Sequence, residues 1–251
     1  FRVHGDALKI NIDSPDSFEE LIWKNYLENY EKKGYWQKIE FNQSNILSDK
    51  LDIFIKKIIL INKENRYLSK NNNNIFRVNY LLNKFPNAKI IVVIRNPIDL
   101  AISSAKVHLK FLKYHNTIKN FSEELVELGH YEFGYKRKMF NFNESEIEHS
   151  ENIRFKTIKF YLKKYLTLLN FISNNYLNEI LSNKITIINY DNLNKFDDLS
   201  KLFKILNIEV NDYIKDYFEE NFIIERNKKY KKFKEDLNFK EFTELSQYSI
   251  I

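Results

Sequence analysis

The sequence predicts an α/β fold with a mainly parallel sheet. The apolar, β-branched run over residues 88–94 is typical of a strand buried on both faces of such a sheet, and residues 185–190 form a second apolar run. Segments with helical spacing of apolar residues flank these runs, and this alternation favours parallel strands joined by helices. The 251 residues are 43% hydrophobic and contain no Gly/Ser-rich linker. We therefore expect one domain over residues 1–251.

The first third of the chain predicts two helices, a short strand and a third helix. A helix is predicted over residues 15–30, because a Ser-Pro-Asp start precedes apolar residues at helical spacing. These apolar positions are Phe18, Leu21, Ile22 and Tyr26. A second amphipathic helix is predicted over residues 51–61. Residues 66–69 are typical of a short strand, and a polar loop separates them from a helix over residues 75–85.

The strand over residues 88–94 leads directly into a helix. Asn96 is predicted as its N-cap, Pro97 as its first residue and Asp99 as an acidic residue in its first turn. A long helix is then predicted over residues 153–181, a strand over residues 185–190 and another helix around residues 199–206. Ligands of open parallel sheets bind beyond the carboxyl ends of the strands.

The composition excludes several classes of site. The chain has no cysteine, so it has no disulfide, thiolate metal site or cysteine nucleophile. The five histidines lack metal-ligand spacing, and we expect no metal. No apolar run reaches the roughly 20 residues of a membrane span and no signal peptide is visible, so we expect no membrane span and a cytoplasmic location. The net charge of +6 is spread along the chain, and we expect no nucleic-acid partner despite the Lys/Tyr/Phe-rich residues 228–233.

Arg95 is the strongest anion-binding residue that the pattern offers. It follows the apolar strand, and the next helix is expected to direct its positive dipole end and free N–H groups to the same crevice. An arginine offers bidentate bonds to a phosphate, and Ser103 adds a hydroxyl eight positions later. The alternative is a structural ion pair of Arg95, with Asn96 and Ser103 serving only the helix.

Residues 85–103, FPNAKIIVVIRNPIDLAIS, resemble the 3′-phosphate-binding strand–turn–helix of sulfotransferases that use 3′-phosphoadenosine-5′-phosphosulfate (PAPS). Residues 66–74 (RYLSKNNNN) and 129–134 (GHYEFG) are similar to segments of the bacterial-type sulfotransferase group. The resemblance implies a P-loop-NTPase-like three-layer αβα sandwich with PAPS as co-substrate. It also implies transfer of a sulfonate group to a hydroxyl or amine of a carbohydrate, lipid or small molecule.

The resemblance also implies roles for individual residues. Arg95 and Ser103 match the positions that hold the 3′-phosphate, and Tyr190 matches a tyrosine that contacts the adenine. Lys70 lies near the position of a cofactor-side lysine in animal-type cytosolic sulfotransferases, and we expect it to neutralise charge on the sulfonate. Those relatives carry a catalytic histidine two residues after that lysine, where Asn72 stands here. The general base is therefore expected elsewhere.

Histidines in the first half of the chain are the alternatives for the base. His130 and Glu132 are the favoured pair, because two glycines flank them and indicate a turn that exposes both side chains. His108, and His4 with Asp6, are the other choices.

One signature of the family is absent, the Gly-rich loop that cradles the 5′-phosphosulfate. We expect a sulfotransferase truncated at its amino terminus, because the chain starts at Phe1 rather than Met. The alternative is a catalytically inactive, sulfotransferase-like binding module that has lost the loop. The acceptor and the oligomeric state have no readable sequence signal.

Overall fold

The computed structural model describes residues 19–27, 30, 45–139, 154–193, 196–221 and 240–250, and these form a helix-rich α/β structure. The strands are β1 (Ile90–Ile94) and β2 (Ile185–Asn189). The helices are α1 (Glu19–Tyr26), α2 (Asn45–Asn62), α3 (Val78–Lys84), α4 (Pro97–Thr117), α5 (Phe121–Glu127), α6 (Arg154–Leu181), α7 (Ser200–Leu206), α8 (Asp212–Asn221) and α9 (Lys240–Gln247). Short 3₁₀ helices span Asn72–Phe76, Tyr190–Asn192 and Phe196–Leu199. The α/β class predicted from the sequence is confirmed.

The described residues fall into two compact units. The first unit is drawn from residues 1–88 and 106–149, and the second from residues 89–105 and 150–251. Helix α4 begins in the second unit and ends in the first. The expectation of one domain over residues 1–251 stays a prediction.

A small parallel sheet lies in the second unit. β1 and β2 pair in parallel, with Ile94 opposite Asn189 at their carboxyl ends. Ser249 bridges to Ile187 of β2, so β2 has neighbours on both edges and all five of its residues are buried. In β1, Val93 is 59% exposed, so the expectation of a strand buried on both faces is wrong at this position.

Helix α1 in the first unit buries a different face from the one that its apolar residues predicted. Leu21 and Ile22 are only half-buried, whereas Glu19, Glu20 and Trp23 are buried. The two carboxylates are buried because polar side chains from other segments reach them, as described below. A local hydrophobic pattern contains no information about such distant partners.

Several predicted elements differ in extent from the observed ones. The helix predicted over residues 15–30 is confirmed over α1, and its first four residues lie outside the described part of the chain. Helix α2 begins six residues earlier than predicted. The strand predicted over residues 66–69 is wrong, since this stretch has no regular secondary structure. Side-chain hydrogen bonds from Tyr67 and Ser69 to Glu19 hold it in place of a strand ladder.

Candidate functional site

The carboxyl ends of β1 and β2 bring two of the three predicted nucleotide-binding residues together. Arg95 follows β1 and Tyr190 follows β2, so the parallel register makes them neighbours. The guanidinium carbon of Arg95 lies 5.0 Å from the centroid of the Tyr190 ring, a cation–π contact. Ser103 lies in the second turn of α4, where its side chain is half-buried.

The backbone of the turn after β1 is held by two side chains of the second unit. The Arg95 N–H donates to the Tyr165 hydroxyl at 2.9 Å, and the Asn96 N–H donates to Asp191 Oδ2 at 2.5 Å. Burial raises the pKa of Tyr165 far above its ordinary value of 10.0, so its hydroxyl stays protonated. The Tyr165 hydroxyl and the Asp191 carboxylate together therefore fix the position of the backbone at Arg95 and Asn96.

The first turn of α4 does not offer the free N–H groups that the sequence suggested. Asn96 Oδ1 accepts the N–H groups of Ile98 at 3.0 Å and Asp99 at 3.4 Å, which confirms Asn96 as the N-cap. The Asn96 N–H is itself bonded to Asp191. The remaining donor is Arg95, whose Nε is buried and has no hydrogen-bond partner among the described residues. Anion binding at this end of the sheet therefore depends on the guanidinium.

Lys70 lies in the first unit, on the irregular segment before the 3₁₀ helix Asn72–Phe76. Its side chain is exposed. Asn71 follows it and caps the 3₁₀ helix, since Asn71 Oδ1 accepts the Asn73 N–H at 2.9 Å. The exposed side chain of Lys70 is therefore accessible to a ligand in solution.

Glu19 is a buried carboxylate that accepts four hydrogen bonds from described residues. Glu19 is only 6% exposed to solvent. The donors are Trp23 Nε1 at 3.0 Å, Tyr67 OH at 2.8 Å, Ser69 Oγ at 2.5 Å and Asn74 Nδ2 at 3.1 Å. All four donors are uncharged, and three of them, Tyr67, Ser69 and Asn74, lie within four residues of Lys70 along the chain.

Glu20 forms a bidentate ion pair with Arg77. Arg77 Nη2 and Nη1 donate to the two carboxylate oxygens at 2.6 and 2.9 Å, and both residues are buried. Asn71 Nδ2 and Tyr30 OH each add a hydrogen bond at 2.8 Å. Burial acts to raise the pKa of Glu20, but the Arg77 charge and these hydrogen bonds together hold it below its ordinary value. Glu20 therefore stays ionised.

The predicted pair His130 and Glu132 is formed in the first unit. His130 Nδ1 lies 3.6 Å from Glu132 Oε2, and the two side chains are 33% and 27% exposed. The preceding residue, Gly129, has a φ of +79°, and a Cβ atom there would lie 2.9 Å from Glu20 Cγ. The turn that carries His130 thus packs directly on Glu20.

His108 is buried beside the same turn. Its Nδ1 accepts the Gly134 N–H at 3.1 Å, and Arg137 lies against its Nε2. Burial, reinforced by the Arg137 charge, lowers the pKa of His108 to about 4. A ring with so low a pKa is a weak base near neutrality, and its contacts support the turn. His4 and Asp6 lie outside the described residues.

Sequence reasoning missed Glu19, Glu20 and Arg77. Charged residues are typical of a solvated surface. Arg77 gave one usable signal, because apolar Phe76 and Val78 flank it on both sides, and all three are buried.

The described residues also bear on metals and membranes. No three or more of their His, Asp or Glu side chains group in an arrangement that would hold a metal ion. None of their helices combines the length and the apolar character needed to cross a membrane.

A family model described as "Sulfotransferase family" matches residues 15–162, more than half of the chain. The matched part includes Lys70, Arg95, Ser103 and His130, whereas Tyr190 lies beyond it. Neither the curated proteins nor the solved structures contain a match to the chain. The helix-rich α/β structure with its small parallel sheet is consistent with a sulfotransferase-like fold. The resemblance drawn from the sequence is confirmed, and the chain belongs to the sulfotransferase family.

Proposed function

We propose that this chain transfers a sulfonate group from PAPS to a hydroxyl or amine of a carbohydrate, lipid or small molecule. Membership of the sulfotransferase family supports a transferase, and this family generally uses PAPS as co-substrate. The observation that carries the proposal is Arg95, a guanidinium at the carboxyl end of the sheet whose buried Nε has no partner among the described residues. An unsatisfied buried donor costs free energy unless a ligand completes it.

The residues at the sheet end are proposed to bind a nucleotide with a 3′-phosphate. Arg95 and Ser103 are proposed to bind the phosphate, by charge-assisted hydrogen bonds and by a hydroxyl donor respectively. The Tyr190 ring, already in contact with the Arg95 guanidinium, is proposed to pack against the adenine. Tyr165 and Asp191 support this role because they fix the backbone that carries Arg95.

Three further residues are proposed to take part in the reaction itself. When bound, PAPS supplies an activated sulfonate, and the products are the sulfated acceptor and 3′,5′-adenosine bisphosphate. The exposed Lys70 ammonium is proposed to neutralise charge on the sulfonate oxygens. His130 is proposed to take the proton from the acceptor, and the Glu132 carboxylate 3.6 Å away stabilises the imidazolium that forms. We propose no metal in this chemistry.

The finer fold assignment belongs to the same proposal. We propose a P-loop-NTPase-like three-layer αβα sandwich. The parallel pairing of β1 and β2 and the helices that follow both strands along the chain support it.

Calorimetric binding of 3′,5′-adenosine bisphosphate and of 5′-AMP tests the proposal. We expect the wild-type chain to bind the bisphosphate at least about 10-fold more tightly than 5′-AMP, because only the bisphosphate has a 3′-phosphate for Arg95. Arg95→Ala should remove this preference and leave the affinity for 5′-AMP within about twofold of wild type. No preference in the wild type, or an unchanged preference in Arg95→Ala, would contradict the proposal. A chain that binds the bisphosphate but never consumes PAPS would instead be the inactive binding module.

A further inference from the structure

We propose that Glu19 and Glu20 are positioning residues that fix the two segments carrying Lys70 and His130. This inference rests on the proposed function, because it gives Lys70 and His130 their roles. Neither glutamate is proposed to touch a substrate. Both act through the hydrogen bonds and packing of helix α1.

The free-energy cost of the cluster is the first reason to look for such a role. Within the described part of the chain, two adjacent carboxylates are buried with a single guanidinium, that of Arg77, and the four donors to Glu19 are all uncharged. Buried ionic groups of this kind are often no more stabilising than apolar residues of the same volume. A helix that only had to pack would need no carboxylate at either position, and the hydrogen bonds of the pair point to a role in fixing the segments that they reach.

The segment around Lys70 is the first part of the chain whose position Glu19 and Glu20 fix. Glu19 holds the segment through Tyr67 and Ser69 before Lys70 and through Asn74 after it. Glu20 holds Asn71, the residue directly after Lys70. Both sides of Lys70 are thus tied to α1 while its own side chain stays exposed. Because residues 66–71 have no strand or helix ladder, these side-chain bonds determine where their backbone lies.

The turn before His130 is the second part of the chain that packs on helix α1. A Cβ at Gly129 would lie 2.9 Å from Glu20 Cγ and 3.0 Å from the Tyr30 hydroxyl, so only glycine allows this close approach. Helix α1 also reaches the end of α5 just before the turn. Lys24 Nζ donates to the carbonyl oxygens of Val126 and Glu127 at 3.1 and 3.0 Å. One short helix therefore anchors both segments that carry the proposed chemistry.

A purely structural cluster and a positioning cluster differ in what they do to ligand binding. Lys70 is proposed to meet the sulfonate, which PAPS has and 3′,5′-adenosine bisphosphate lacks. A positioning defect at Lys70 should therefore weaken PAPS and spare the bisphosphate. A general loss of structure should weaken both ligands alike.

Calorimetric titration of both nucleotides into Glu19→Gln, Lys70→Ala and the double variant makes this distinction. We expect Glu19→Gln to weaken PAPS about 10-fold and the bisphosphate by less than about twofold, because the amide nitrogen replaces one carboxylate oxygen and presents its own N–H to two of the four donors. The double variant should bind PAPS no more weakly than Lys70→Ala, since Glu19 acts through Lys70. Glu64→Gln, at an exposed position, is the matched control and should change neither affinity.

Equal weakening of both nucleotides by Glu19→Gln, or effects that add in the double variant, would overturn the inference. Should Glu19→Gln fail to fold, Tyr67→Phe and Ser69→Ala each remove one donor to Glu19 and should lower PAPS affinity alone, by about threefold. Unchanged PAPS affinity in both would likewise overturn it. Failure of the proposed function is separately visible, because the wild-type chain would then bind neither nucleotide.

Discussion

Among the described residues, Arg77 and Arg95 each bury an Nε that has no hydrogen-bond partner there, but the rest of the two guanidinium groups has different surroundings. In the first unit, Arg77 is fully buried and gives both terminal nitrogens to Glu20. In the second unit, the Arg95 guanidinium lies over the Tyr190 ring, and no carboxylate of the described residues forms an ion pair with it. A guanidinium whose terminal nitrogens pair with a buried carboxylate fixes structure, whereas one without a carboxylate partner keeps binding capacity for an anion. The difference separates the residue that organises the protein from the one that we propose to bind the ligand.

Breaking the Arg77–Glu20 pair should have the largest effect on stability. Arg77→Met leaves the Glu20 carboxylate buried without its cation, and we expect a loss of about 3–5 kcal/mol in the free energy of unfolding. Urea denaturation followed by circular dichroism measures it. The matched control is the more exposed pair of Lys84 with Asp52 in the same unit, 2.9 Å apart, where Asp52→Asn should cost less than about 1 kcal/mol. Equal losses for the two pairs would mean that burial of the Arg77 pair is energetically unimportant.

Lowering the pH should reduce the free energy of unfolding through the buried His108, and this is the second largest effect that we expect. Its pKa is about 4 in the folded chain and 6.5 in the unfolded chain, so the unfolded state binds more protons between these values. Its contribution to stability is complete above about pH 6.5 and is lost as the pH falls towards 4, to a total of up to about 3 kcal/mol. Unfolding free energies at pH 7 and pH 4.5 should differ less in His108→Gln than in wild type. A pH dependence that is unchanged in the variant would exclude this assignment.

Two glycines with similar backbone angles allow the contact with Glu20 to be separated from backbone strain. Gly129 and Gly134 have φ values of +79° and +83°, but only a Cβ at Gly129 would meet other atoms, whereas nothing lies within 4 Å at Gly134. Both alanine variants should lose about 1 kcal/mol from the left-handed backbone. Gly129→Ala should lose about a further 1–2 kcal/mol, because the Glu20 side chain must move. Thermal unfolding of the two variants side by side measures the difference. Equal losses of stability would show that the Glu20 side chain moves aside without a free-energy cost.

The same contrast explains which parts of the molecule were predictable. Asn96 as N-cap, the helix after it and the strand that became β2 follow from local spacing, and the structure confirms them. The partner of Glu20 is Arg77, 57 positions away, and no local pattern connects the two. The wrong strand over residues 66–69 has the same origin, because side-chain bonds to Glu19 replaced a strand ladder there.

Replacing Arg95 should have the smallest effect on stability, and it tests most directly whether Arg95 differs from Arg77 in its role. Arg95→Met removes a buried donor without a described partner and keeps a side chain that packs on Tyr190, so we expect a change within about 0.5 kcal/mol of wild type. The same substitution at Arg77 is expected to cost several times more. Urea denaturation of the two methionine variants under one set of conditions gives both values. A loss at Arg95 as large as that at Arg77 would mean that Arg95 serves the fold, and its missing partner would no longer indicate a bound anion.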